Sequence, residues 1–167
     1  YDPLPACEPD RKTVSIFGSD FALDESSDIR RLLKRYEYTV KELPACKTWQ
    51  DLLDMSKGSL FIDCYPAGKY GMEAQAERLG RKHLYLPGSF DYDEIEKQLK
   101  QLTDILGLPE LTGEELVCER ESCEEALAKA KTLIKDMPIT LDYLYHPRPL
   151  GLAKLLLTHG FNVKVVY

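Results

Sequence analysis

Apolar positions along the chain fall into short runs, and the segments between them carry apolar residues at helical spacing. Residues 13–17 are β-branched, hydroxyl-bearing and aromatic and stop at Gly18, which predicts a buried strand. Residues 24–36 predict a helix with Ile29, Leu32 and Leu33 on one face and Asp and Ser near its start. A second strand, 38–43, stops at Pro44, and Thr48 is placed to cap a short helix over 49–55 that closes at Lys57-Gly58. The third strand, 60–64, is the most apolar of these runs and is broken by Pro66 and Gly68. A helix over 70–79 ends at Gly80, and a fourth strand, 83–86, ends at Pro87-Gly88. Ile95, Leu99, Leu102 and Leu106 mark one face of a helix over 91–106 that Gly107 terminates.

Strands that alternate with helices imply right-handed βαβ units and a parallel sheet covered on both faces. The expected fold class is therefore α/β, a parallel Rossmann-like sheet with helices on both faces. After it, Thr112 and Glu115 fit a capping box opening a long, charged helix over 114–135. A second start follows: strand 139–144, a turn through residues 145–149, helix 150–159 and strand 162–166, a βαβ piece of a second similar domain. The expected organisation is a linker at 1–12, an α/β domain at 13–110, a bridging helix at 111–137 and a partial second α/β domain at 138–167. The start at Tyr1 and the end inside a strand-like run read as a piece of a longer chain.

Composition narrows the function. The chain has 167 residues, 44% of them hydrophobic and 30% charged, as in an ordinary globular protein. The formal net charge is −6, which argues against nucleic acid and anionic membranes as partners. The densest basic cluster, Arg30, Arg31, Lys34 and Arg35, stands beside Glu25 and Asp28 and reads as a solvated helix face. No apolar run approaches the roughly 20 residues that span a bilayer. The five cysteines are odd in number and match no zinc spacing, which suits a reduced, cytoplasmic setting. Cys118 and Cys123 lie about 140° apart around a helix and do not share a face. No dinucleotide fingerprint, phosphate-binding loop or nucleophile elbow is present.

In an open parallel sheet, ligands bind beyond the carboxyl ends of the strands. Cys64 ends the most apolar strand and precedes a turn and a helix, whose N-terminus would lower the thiol pKa. The same position equally suits a small buried hydrophobe. Arg148, between Pro147 and Pro149, is held in a stiff turn that suits either an anionic ligand or a structural ion pair. His146, two residues earlier, reads by itself as a turn histidine.

The stretch from Val14 to Gly18, its acidic and hydroxyl-rich loop, and Leu60-Phe61-Ile62-Asp63-Cys64-Tyr65 with Tyr70 resemble the middle domain of nitrogenase component 1. Leu141-Asp142-Tyr143, Pro147-Arg148-Pro149 and Gly160-Phe161-Asn162-Val163 resemble the opening of the next domain in that family. The resemblance implies Rossmann-like domains around an iron–sulfur type cofactor, with Cys64 as ligand to an iron and Arg148 in contact with the same group. Tyr65, His146 and the loop containing Ser19 and Asp20 complete the cofactor-binding set it implies. Its partners would be a paralogous subunit and an ATP-dependent iron–sulfur reductase, and its substrate a small molecule or a tetrapyrrole. The sequence departs from nitrogenase proper at Pro66 and at Tyr145-His146-Pro147. A nitrogenase-like reductase, a non-catalytic cofactor-assembly scaffold of the same fold, and a metal-free ligand-binding or partner-docking domain all stay open.

Overall fold

The computed structural model describes residues 4–18, 21–144 and 148–167. The chain is α/β, and it divides into two compact units, Tyr1–Gly88 and Ser89–Tyr167. The break falls at Pro87-Gly88, where Gly88 takes φ +72°, a turn that ends the fourth strand's segment.

The first unit carries β1 (Asp10–Phe17), α1 (Asp28–Arg35), β2 (Thr39–Glu42), α2 (Trp49–Asp54), β3 (Gly58–Asp63), α3 (Lys69–Leu79) and β4 (Lys82–Tyr85). All three strand pairings are parallel, in the order β2-β1-β3-β4, with helices flanking the sheet. The expected alternation of elements therefore holds, with ends shifted by a few residues. Thr48 caps α2 through a capping box with Asp51, and Ser27 caps α1. Gly80 ends α3 in the left-handed conformation.

Alternation along β1 and β3 sends side chains to both faces, and both faces are sealed. Val14, Ile16, Leu60 and Ile62 on one face and Phe17 and Phe61 on the other are all buried. The Phe17 and Phe61 rings meet edge to face at 5.2 Å. Met55 and the α3 residues Met72, Ala76 and Leu79 pack into the same cluster. Leu4, in the proline-rich leading segment, also belongs to it at 1% exposure. Arg78 donates to the Leu4 carbonyl at 2.7 Å, and Arg81 donates to that of Cys7, so these residues are anchored on the first unit.

The second unit holds α4 (Tyr92–Leu106), α5 (Gly113–Ile134), β5 (Ile139–Leu141), α6 (Pro149–Thr158) and β6 (Val163–Val166). The strands β5 and β6 pair in parallel, and Thr112 forms the expected capping box with Glu115 at the start of α5. Arg120 of α5 bonds Asp93 and Glu96 of α4, and Glu124 of α5 bonds Tyr92 and His159, so α5 lies wholly within this unit. Among the described residues, no helix is long and apolar enough to cross a membrane.

Candidate functional site

The strand order fixes where the first unit can hold a ligand. From β1 the chain crosses over to β2 on one side, and from β3 to β4 on the other. The connections leaving β1 and β3 therefore diverge, and the crevice at such a switch point is where open α/β sheets bind ligands. Gly18 follows β1 and Cys64 follows β3, and the Cys64 N–H donates to the Phe17 carbonyl at 3.1 Å across that point. Gly18 adopts φ +77°, a conformation that excludes most side chains.

Beside this point lies a carboxyl group that the sequence reading passed over. Asp63, the last residue of β3, is fully buried. Its Oδ1 accepts the Tyr65 N–H at 3.0 Å. A Cβ placed on Gly18 would stand 2.3 Å from Oδ1, and one on Gly68 would stand 3.0 Å from it, so both glycines close directly over the carboxyl. Oδ2 is buried without a hydrogen-bond partner, and so is Nε2 of His83 on the neighbouring strand. Burial raises the Asp63 carboxyl above its ordinary range, against the pull of the Tyr65 N–H and His83. Burial also lowers the His83 imidazole, and Asp63 opposes that shift. An aspartate closing an otherwise apolar strand was the signal for this group.

Cys64 is half-buried and sits outside the strand, in the turn that follows. The expectation of a lowered thiol pKa is corrected here. Burial, then the charges of Asp63 and Glu42, push the Cys64 thiol up to about 12. α3 begins only at Lys69, beyond the Pro66–Gly68 turn, and its N-terminus does not offset those effects. Glu42, at the end of β2, is buried and tied to Arg30 at 2.9 Å and to the Leu23 N–H at 2.8 Å.

Tyr65 stands in the same turn, where its carbonyl accepts the Gly68 N–H at 3.0 Å. Arg148 belongs to the second unit and is the N-cap residue of α6, its carbonyl accepting the Leu152 N–H at 3.2 Å. Ser19, Asp20 and His146 lie outside the described residues.

The donor set limits what could be held. No group of three or more His, Cys, Asp or Glu side chains suited to a metal ion occurs among the described residues. They do not form a self-contained iron–sulfur site. Cys64 alone offers a single soft donor, which fits one-point attachment to an iron, because a coordinated metal displaces a thiol proton outright. The chain matches no known family and no curated protein.

A second polar cluster lies in the second unit. A groove of about 610 Å³ between the start of α4, α5 and α6 is lined by Tyr92, Arg120, Glu124, Lys154 and His159 among others. Glu124 accepts from the Tyr92 hydroxyl at 2.8 Å and from His159 Nε2 at 3.0 Å. Arg120 lies over the Tyr92 ring at 4.8 Å. Asp91, Asp93 and Glu94 line the same groove, so with Glu124 its carboxylates outnumber the Arg120 and Lys154 cations.

Proposed function

We propose that this chain is part of a nitrogenase-like component 1 oxidoreductase, in which Cys64 supplies one thiolate to an iron–sulfur type cofactor at the strand ends. One observation carries the reading: the half-buried Cys64 follows β3 at the β1/β3 switch point, its N–H on the Phe17 carbonyl at the end of β1. The cofactor, when bound, would supply electron transfer to a small molecule or a tetrapyrrole. The chain's own part is to hold the Cys64 turn in place through the Asp63–Tyr65 hydrogen bond and to set the field around the sulfur through Asp63 and Glu42. The role of Arg148 at the same cofactor rests on its sequence resemblance alone, as do the paralogous subunit and the ATP-dependent reductase.

The raised thiol pKa and the single soft donor favour a second reading, a metal-free small-molecule site at the same switch point. Anaerobic reconstitution of the full-length protein with iron and sulfide separates the two. The cofactor reading expects bound iron that Cys64→Ser loses in large part. Equal iron in wild type and variant, or none in either, hands the site to the metal-free reading. Turnover with the reductase and ATP then distinguishes an oxidoreductase from a cofactor-assembly scaffold.

A further inference from the structure

The helix α5 is 22 residues long, and none of them is buried. Apolar burial, which supplies most of the stability of helices in proteins, therefore does little to hold it in place. Polar side chains fasten it instead. Arg120 reaches Asp93 at 3.4 Å and Glu96 at 3.2 Å, but these three side chains are exposed and such pairs hold weakly. The tighter node is partly buried and joins three helices. Glu124 of α5 accepts from the Tyr92 hydroxyl of α4 at 2.8 Å and from His159 Nε2 at the end of α6 at 3.0 Å. His159 Nδ1 meets the Leu155 carbonyl at 2.7 Å. Only the imidazolium donates at both nitrogens, and the neutral ring leaves one acceptor unmatched. Both ends of α5 lie next to unusual backbone: Gly107, at φ +66°, ends α4 ahead of Pro109, and Lys135 closes α5 at φ +56°, which lysine rarely adopts. Strained positions of this kind recur at switch regions.

We propose that α5 is a proton-controlled strap: with His159 protonated, Glu124 fastens it to α6, and loss of that proton lets α5 lift off α6 while the rest of the unit stays folded. The only covalent change is one N–H proton passing from the imidazolium to water. The Leu155 carbonyl, and then Glu124, favour the imidazolium and raise the changeover above the ordinary 6.5. Asp91, Asp93 and Glu94 at the start of α4 line the same groove and add negative charge, while Arg120 of α5 and Lys154 of α6 add positive charge. Tyr92, pushed up to about 12 chiefly by burial, keeps its proton, so the α4 side of the node does not switch. A helix that owes its order to tertiary contacts frays once they go, so an unfastened α5 exposes its amides to exchange. No residue of the Cys64 turn takes part, so the strap stands apart from the oxidoreductase reading.

The test is hydrogen exchange of the full-length protein, read by peptide mass spectrometry at pH 6 and 8.5 with each rate divided by the intrinsic rate at that pH. Peptides covering α5 are expected to lose protection by about 2–5-fold at the higher pH, the range that partly exposed ion pairs support. Peptides over the buried segments 60–63 and 99–103 keep theirs. In His159→Gln, α5 shows the lower protection at both pH values, because glutamine has no proton to lose. Should that variant not fold, Glu124→Gln serves instead: it removes most of the α5 response, while His159 still titrates by NMR on its Leu155 contact. Equal α5 protection at pH 6 and 8.5 in the wild type overturns the proposal. A loss shared by α5 and segment 60–63 also overturns it, since the whole chain would then be opening. A response that survives in His159→Gln, or in Glu124→Gln, assigns the switch to another group and overturns it as well.

Discussion

Asp63 fills the space that a side chain on Gly18 would need: a Cβ on Gly18 would lie 2.3 Å from Asp63 Oδ1, closer than two non-bonded atoms can sit. Gly18 also holds φ +77°. Gly18→Ala therefore meets two penalties, a left-handed backbone costing about 1–2 kcal/mol and a collision with a buried carboxyl that must move away from the Tyr65 N–H. The expected outcome is a loss of roughly 2–4 kcal/mol in urea unfolding. A change within about 0.5 kcal/mol would show that the carboxyl is not where these glycines place it.

Cys64 is expected to be the slow thiol of the chain. Its proton is held to about pH 12 by burial and by the Asp63 and Glu42 charges, while Cys118 and Cys123 are exposed on α5. Iodoacetamide at pH 8 without metal should alkylate Cys118 and Cys123 well before Cys64, read by peptide mass spectrometry. Asp63→Asn removes one of the opposing charges and should speed Cys64 alkylation at fixed pH. Early alkylation of Cys64 in the wild type would contradict the buried, anionic setting.

Leu4 tests whether the leading segment is part of the first unit. It is 1% exposed and packs with Phe17, Phe61 and Met72. Leu4→Ala leaves a cavity in that cluster and is expected to cost about 2–5 kcal/mol. A free linker would tolerate the same change with no measurable shift in the urea midpoint.

These predictions mark where the sequence was readable. The parallel α/β order followed from the spacing of apolar runs and their Gly and Pro stops, and the caps at Thr48 and Thr112 from short-range chemistry. Such signals are local, so they survive into the fold. Asp63 showed in the sequence only as an aspartate closing an apolar strand, and its enclosure by Gly18 and Gly68 depends on how the loops after β1 and β3 fold over it. The Cys64 thiol was misjudged for a related reason. Proximity to a helix start is visible in sequence, whereas the burial and the Glu42 charge on a different strand are not. Leu4 looked like linker among prolines, and only its contacts across the unit show otherwise.

The last prediction concerns pH and the second unit. His159 links α6 to α5 through Glu124, with Nδ1 on the Leu155 carbonyl and Nε2 on the carboxylate. Both ring nitrogens face acceptors, so the imidazolium is favoured. The Leu155 carbonyl, and then Glu124, raise its pKa above the ordinary 6.5. A group bound more tightly to its proton in the folded state stabilises fully below its unfolded pKa and loses that contribution as pH rises through the folded value. Glu124 behaves oppositely. The Tyr92 hydroxyl and His159 hold its pKa below 4.5, so its contribution is present above that value and fades as pH falls through the lowered one. Tyr92, pushed up to about 12 chiefly by burial, keeps donating throughout. Lowered by burial, His83 in the first unit works against His159, losing stability as pH falls below 6.5. The informative quantity is therefore a difference. Between pH 6 and 8.5 the wild type should lose more thermal stability than His159→Gln, and Glu124→Gln should remove part of that increment, the Leu155 carbonyl keeping the rest. Parallel pH profiles for wild type and His159→Gln would mean that the three helices are held together without this ion pair.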